Sequence, residues 1–237
     1  RARDGTVFVG TYNPPRIFVL AEDGSVTTLA GGERGFRDGR GEAAQFCDPV
    51  AMAEGPDGQI YVAEDENHCI RRVNRNGTVT TVAGRPCEED EDPQSIDGDL
   101  ATARFNKPFA VAVASDGTIY IGDNEGECVR QIRGEVVKTI WRGGSVHGLL
   151  LDESLIYVAA GHRIISIAVG TLAEEQEARY YPALQTWALA QEIEQAEPIP
   201  AAATETAEEA RARDTLRLLM NCPIPDILVR TLRFLYN

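Results

Sequence analysis

Histidines, cysteines and clustered carboxylates are the residues of this 237-residue chain best suited to metal or acid–base chemistry. There are three histidines, His68, His147 and His162. A catalytic zinc takes about three protein ligands and keeps one position open, so any of these histidines needs partners brought to it by the fold. The five cysteines, Cys47, Cys69, Cys87, Cys128 and Cys222, are odd in number and contain no Cys-x-x-Cys pair. They spell neither a structural zinc site nor a disulfide framework, and the expected compartment is intracellular and reducing. The run Glu88-Glu89-Asp90-Glu91-Asp92, followed by Asp97 and Asp99, lacks the alternating carboxylate and glycine pattern of an EF-hand. It reads as a solvated acidic loop, and Arg34, Arg37 and Arg40 cluster on the corresponding connector one unit earlier. There is no Walker loop, no Gly-x-Ser-x-Gly elbow and no Cys/His nucleophile pair.

The bulk numbers narrow the partners. With a formal net charge of −14 the surface repels phosphate backbones, so no nucleic-acid partner is expected. No apolar run reaches the roughly 18–20 residues that cross a bilayer, so no transmembrane segment is expected. The opening Arg1-Ala2-Arg3-Asp4-Gly5 has neither an initiator Met nor an apolar leader, and the expectation is a chain that starts inside a longer or processed protein.

What must position these residues is a repeat. Phe46, Asp57, Tyr61 and Cys69 recur 59 residues later as Phe105, Asp116, Tyr120 and Cys128. A copy 53 residues earlier places Asp4-Gly5 on Asp57-Gly58, Ile17 on Ile70 and Ala30-Gly31 on Ala83-Gly84. A degenerate fourth copy runs through His147-Gly148-Leu149, Ile156-Tyr157-Val158 and Ile164-Ile165-Ser166-Ile167. Short β-branched and aromatic runs alternate with Asp-Gly or Asn-Gly pairs, which close hairpins, so successive strands are antiparallel neighbours. Four short strands per unit at this period are the signature of a propeller blade.

The landmarks Phe46-x-x-Pro49, Asp57-Gly58-x-Ile60-Tyr61-Val62-Ala63, Asn67-His68-Cys69 and Gly77-x-Val79-Thr80-Thr81-Val82-Ala83-Gly84 resemble the NHL repeat, with Cys69 in place of the last residue of its eponymous tripeptide. The resemblance spans about residues 5–170 and implies a mainly β, NHL-type β-propeller of antiparallel four-stranded blades. Such propellers commonly have six blades, and about four units are visible. The first lacks the Phe-x-x-Pro strand at its front, and the fourth lacks the Gly-x-Val-Thr-Thr strand at its end. The expectation is missing upstream sequence, or an open propeller whose edge something else covers.

The family also suggests sites. In the NHL-like peptidyl-amidating lyases, histidines on the innermost strands of several blades bind a catalytic zinc. His147 stands at that point here, but its counterparts are Val50 and Phe109. Lactonase-like propellers hold calcium with central Glu, Asn and Asp residues, which makes Glu54, Glu64, Asp65 and Asp123 candidates by type. Glu64 and Asp123 follow the second strand of their units, where an acidic residue caps a turn. His68 and His162 align ahead of third strands and read as structural repeat residues. The basic, aromatic RNA-reading face of some tripartite-motif NHL propellers is not supplied.

Residues 1–171 are therefore read as the propeller region and 172–237 as an α-helical extension. Helix is expected over 173–195, broken near Pro182, then a Pro/Ala linker near 196–204, then a helix opened by a Thr206/Glu209 capping box. In the last helix Ile224, Ile227, Leu228, Leu232 and Leu235 fall on one face, an interaction stripe. Its end faintly resembles the leucine-rich helix of a BTB fold. The functional expectation is a non-catalytic protein-interaction scaffold with no cofactor, a subunit of a larger intracellular assembly whose partners are other protein subunits. The alternative is a hydrolase or lyase using Zn or Ca in the central channel.

Overall fold

The computed structural model describes residues 1–21, 23–87, 93–152, 155–169 and 179–181. The first sheet comprises β1 (Val7–Tyr12), β2 (Pro15–Leu20) and β3 (Val26–Gly31). A connector follows, with β4 (Glu33–Arg34), β5 (Gly39–Arg40), a 3-10 turn over Gly41–Ala43 and β6 (Gln45–Phe46). The second sheet holds β7 (Pro49–Glu54), β8 (Ile60–Glu64), β9 (Cys69–Val73) and β10 (Thr78–Gly84), with β5 added outside β10. The third repeats it with β12 (Pro108–Val113), β13 (Ile119–Asp123), β14 (Cys128–Arg133) and β15 (Val136–Arg142), and with β11 (Gly98–Asp99) on the outside. The fourth contains β16 (Val146–Asp152), β17 (Leu155–Ala160), β18 (Arg163–Ala168) and β19 (Arg179–Tyr181).

All pairings within these four sheets are antiparallel, and the Asp-Gly pairs at 4–5, 23–24, 57–58 and 116–117 close tight turns. The aspartate carboxylate accepts the amide two residues on, at Thr6, Ser25, Gln59 and Thr118. That side-chain turn is what Asp supplies at these positions.

The blades stack face to face, and each seam is an apolar core. Ile17 and Ala30 of the first sheet pack with Ile60, Val62, Val73 and Val79 of the second. Ala63, Ile70 and Ala83 of the second meet Ile119, Ile121, Ile132 and Val137 of the third. Tyr120 and Val129 of the third meet Ile156, Val158, Ile165 and Ile167 of the fourth. The repeated Ala-Gly…Phe pattern has a steric cause. A Cβ added at Gly31 would lie 2.8 Å from the Phe46 ring, and one at Gly84 would lie 2.9 Å from Phe105. Each glycine makes room for the phenylalanine that enters the next blade, and both phenylalanines are buried.

Two expectations need correction. The fourth unit does have a last strand, because β19 pairs with β18 from Ile164↔Tyr181 to Ser166↔Arg179. Its sequence, Arg-Tyr-Tyr, carries no Gly-x-Val-Thr-Thr signal, and β-propensity joined to an available edge wins over the helical composition around it. Residues 179–181 are thus strand where helix was expected. Among the described residues there is no α-helix, and the rest of 172–237, including Ile224, Ile227, Leu228, Leu232 and Leu235, lies outside them.

The first sheet does lack an inner strand. Val9 is 40% and Val26 59% exposed, whereas their repeat counterparts Val62 and Val79 are buried. Val79 pairs with Gly39 of β5, and among the described residues no connector strand pairs beside Val26.

Candidate functional site

The charged residues of the repeat converge on two buried clasps. In the second blade the Glu64 carboxylate accepts from the Cys47 amide at 2.5 Å, Asn67 Nδ2 at 2.7 Å and Arg71 Nη1 at 2.6 Å. Arg71 is fully buried and also donates to the carbonyls of Gln45 and Arg37 and to Asp38 Oδ1 at 2.7 Å. Asp38 in turn accepts from the amide and hydroxyl of Thr81 on β10. The Arg71 guanidinium lies 5.0 Å from the Phe36 ring centroid and 5.4 Å from that of Phe46, a favourable cation–π setting. Arg71 Nε is buried and has no hydrogen-bond acceptor.

The third blade builds the same clasp with one exchange. Asp123 accepts from the Asn106 amide at 2.7 Å and Arg130 Nη1 at 3.2 Å, and Arg130 holds Asp97 and the carbonyls of Ile96 and Arg104. Gly126 occupies the place of Asn67, and the missing donor comes from Ser95, whose Oγ lies 2.5 Å from Asp123 Oδ2. A Cβ at Gly126 would collide with that Ser95 oxygen at 2.0 Å. The donor has moved from the blade to the connector.

Burial sets the electrostatics. It raises Glu64, against the pull of Arg71, and raises Asp123 to about 6 against Ser95 and Arg130. Burial also works to raise Asp38 and Asp97, but the threonine and arginine hydrogen bonds outweigh it and hold both below the usual carboxylate range. Cys69 and Cys128 sit beside these carboxylates, their thiols pushed up by burial, to about 11 for Cys128. They are unreactive packing residues, and Cys47, Cys69 and Cys128 are free thiols.

The clasps appear where a long connector crosses the blade. The fourth blade is entered by only Gly143, Gly144 and Ser145, and there the paired register puts Ala160 and Ile165 at the positions of Glu64 and Arg71. Both are buried. Glu64 and Asp123 are therefore connector anchors, a larger role than the turn caps expected of them. Sequence reasoning missed Arg71 and Arg130. Their signal was an arginine on the inward phase of an apolar strand, seven residues after an acidic residue, twice.

The inner strands form a second constellation. β12 lies between β7 and β16, and each of the three starts with a register shift that leaves one residue unpaired: Val50, Phe109 and His147. These are β-bulges, which re-aim side chains, and the equivalence expected of the three residues holds. His147 Nδ1 lies 3.1 Å from Asn124 Nδ2, which also donates to the Val146 carbonyl at 3.0 Å. The Phe109 and His147 rings meet edge to face with centroids 6.3 Å apart.

Around the start of these strands lie Asp48, Asp65, Glu66 and Glu125, offset by two cations. Arg34 grips Asp48 with two bonds of 2.9 and 3.0 Å, and Lys107 Nζ lies 2.9 Å from Glu125. Asp65 is raised by burial, then lowered by Lys107 and raised by Glu66, Glu125 and Asp48; its Oδ1 is buried without a hydrogen-bond partner. Glu54 bonds Arg75 and the Arg3 amide at the other end of the strand. The four calcium candidates thus do not meet, and no group of three or more His, Cys, Asp or Glu able to hold a metal occurs among the described residues. His68 accepts from the Lys107 amide, and His162 is exposed in the turn before β18. Arg37 and Arg40 donate to the carbonyls of Ala43 and Asn76, while residues 88–92 lie outside the described ones.

Stacked antiparallel sheets, three of them with inner strands side by side, have the arrangement of β-propeller blades. Among solved structures, streptogramin B lyase matches with a TM-score of 0.53 at 13% identity over 76% of this chain and 52% of that one. A gluconolactonase from Xanthomonas campestris matches with a TM-score of 0.52 at 17% identity, over 74% and 58%. At these identities the likeness is one of fold. Residues 41–133, which carry the buried Glu64/Arg71 and Asp123/Arg130 pairs, match the Teneurin NHL domain family model. Human Teneurin-4 is 32% identical over 94 residues, 35% of this chain and 3% of Teneurin-4. NHL repeat-containing protein 2 of Gallus gallus is 41% identical over 71 residues, 29% of this chain and 10% of that protein. Residues 41–133 are thus similar to NHL-repeat domains, and the chain spans a small fraction of the length of these relatives.

Proposed function

We propose that this chain is a non-catalytic protein-interaction scaffold, a subunit of a larger assembly whose partners are other proteins. The observation that supports it is the use made of the buried charges. Glu64, Arg71, Asp123 and Arg130 are each bound to a connector, so their hydrogen-bonding capacity fixes the loops that a partner would touch. The similarity of residues 41–133 to an NHL domain points the same way. Phe36 and Ile96, 39% and 44% exposed on those fixed connectors, are apolar contacts of the kind an interface core uses. The full chain, affinity-purified from cells that express it, should bring down a stoichiometric protein whose recombinant form binds directly in titration calorimetry. Phe36→Ala and Ile96→Ala should weaken that binding. Metal-dependent turnover of lactones or esters, abolished by chelation and by His147→Ala, would overturn the scaffold reading in favour of a channel enzyme.

A further inference from the structure

We infer that His147 is a fixed hydrogen-bond donor at the inner edge of the propeller, forming with Phe109 a subsite for a neutral carbonyl carried on a flat apolar group. The inference rests on the binding-module reading and gives that module a ligand chemistry.

The tautomer follows from the neighbours. A carbonyl oxygen only accepts, so the Asn124 atom 3.0 Å from the Val146 oxygen is the amide nitrogen. An amide nitrogen only donates, so His147 Nδ1, 3.1 Å from the same atom, must accept. The imidazole proton is therefore on Nε2. Among the described residues no protein group bonds Nε2, and it is not among the buried polar atoms lacking a partner. It is a donor facing solvent.

The surroundings select what it would take. Phe109 is 37% exposed and presents a ring beside the imidazole, and Val50 stands at the equivalent bulge one blade earlier. An anion is disfavoured, because Asp48, Asp65, Glu66 and Glu125 act together on this end and Arg34 and Lys107 are already bound to carboxylates. A cation finds no acceptor at Nε2. A metal ion is opposed too, since freeing the Nε2 lone pair would move the proton to Nδ1, against the Asn124 donor. A neutral amide, ester or lactone carbonyl beside an apolar ring satisfies both the donor and Phe109.

The test uses the full chain labelled with 15N. Long-range proton–nitrogen correlation should show the His147 proton on Nε2; a proton on Nδ1 would overturn the inference before any ligand is added. N-acetylphenylalaninamide should then shift His147 and Phe109 resonances saturably, with phenylacetate and benzylamine as the charged arms. Binding should fall at least about tenfold in His147→Ala, the loss expected for one hydrogen bond of this kind. Asn124→Asp, whose carboxylate would hold a proton on Nδ1, should weaken amide binding where the imidazole is neutral and Nε2 only accepts, and restore it in acid, where both ring nitrogens carry protons. Tighter binding of either charged probe, or no saturable shift with the amide up to its solubility limit, would overturn the ligand class. Loss of the protein partner alone would sink the scaffold reading and leave this subsite standing.

Discussion

Replacing Arg71 with Met should be among the most damaging single changes in the chain, and the clasp sets the size of the effect. Arg71→Met keeps most of the apolar volume and deletes four donors' worth of contacts, to Glu64, Asp38 and the carbonyls of Arg37 and Gln45. Glu64 then stays buried with only the Cys47 amide, Asn67 and a distant thiol. Breaking a buried ion pair from one side costs about 3–5 kcal/mol, a large part of the roughly 5–15 kcal/mol that holds a domain together. With a urea slope of about 2 kcal/mol per molar, the midpoint should drop by roughly 1.5–2.5 M. In a Glu64→Gln background there is no charge to strand, so the same change should cost only about 1.5–3 kcal/mol. Hydrogen exchange should rise across the connector at 33–46, which Arg71 ties down. A cost below about 1 kcal/mol in the native background, with unchanged exchange there, would refute the idea that the ion pair anchors the connector.

Asp123→Asn should flatten the pH dependence of stability between about pH 4 and 6. Its folded value of about 6 lies above the ordinary 3.8, so the cost of burying the carboxylate is fully present above that range and is relieved as pH falls. Relative to the Asn variant, the native chain should gain on the order of 2–3 kcal/mol on acidification, read from urea melts at each pH; parallel curves would contradict this. Asp65→Asn should raise the stability by about 1 kcal/mol, read as a higher urea midpoint, because it places a donor where Asn124 donates one blade later and where Asp65 leaves Oδ1 unpartnered. A lower midpoint would show that the blade seams are not equivalent there. Tyr120→Ala should cost about 3–5 kcal/mol, since that ring fills the seam to the fourth blade; an unchanged melt would put the strand register in error.

Blade order and strand register were legible because the sequence repeats its own landmarks: Phe46 and Phe105, Tyr61 and Tyr120, and Cys69 and Cys128 occupy matching places. The bulges at Val50, Phe109 and His147 were legible as equivalent positions, though not as bulges, since an extra residue leaves no mark in an apolar run. The clasps were half visible. Glu64 and Asp123 stood out as acidic residues, but their arginines looked like ordinary charges on a strand until the connector was seen to cross over them. The exchange of Asn67 for Ser95 was beyond sequence reading, because Ser95 lies 28 residues before its acceptor Asp123 and reaches it only in three dimensions. β19 was missed because an edge strand borrows its stability from the sheet it joins.

The central claim, a binding scaffold and not a channel metalloenzyme, is tested most directly by metal content. The full chain should be dialysed against trace zinc and calcium, then assayed by elemental analysis alongside His147→Ala. The account predicts no stoichiometric metal in either protein, because Asn124 turns the Nδ1 lone pair of His147 inward and its strand counterparts are Val50 and Phe109. About one zinc per chain, lost in His147→Ala, would contradict it.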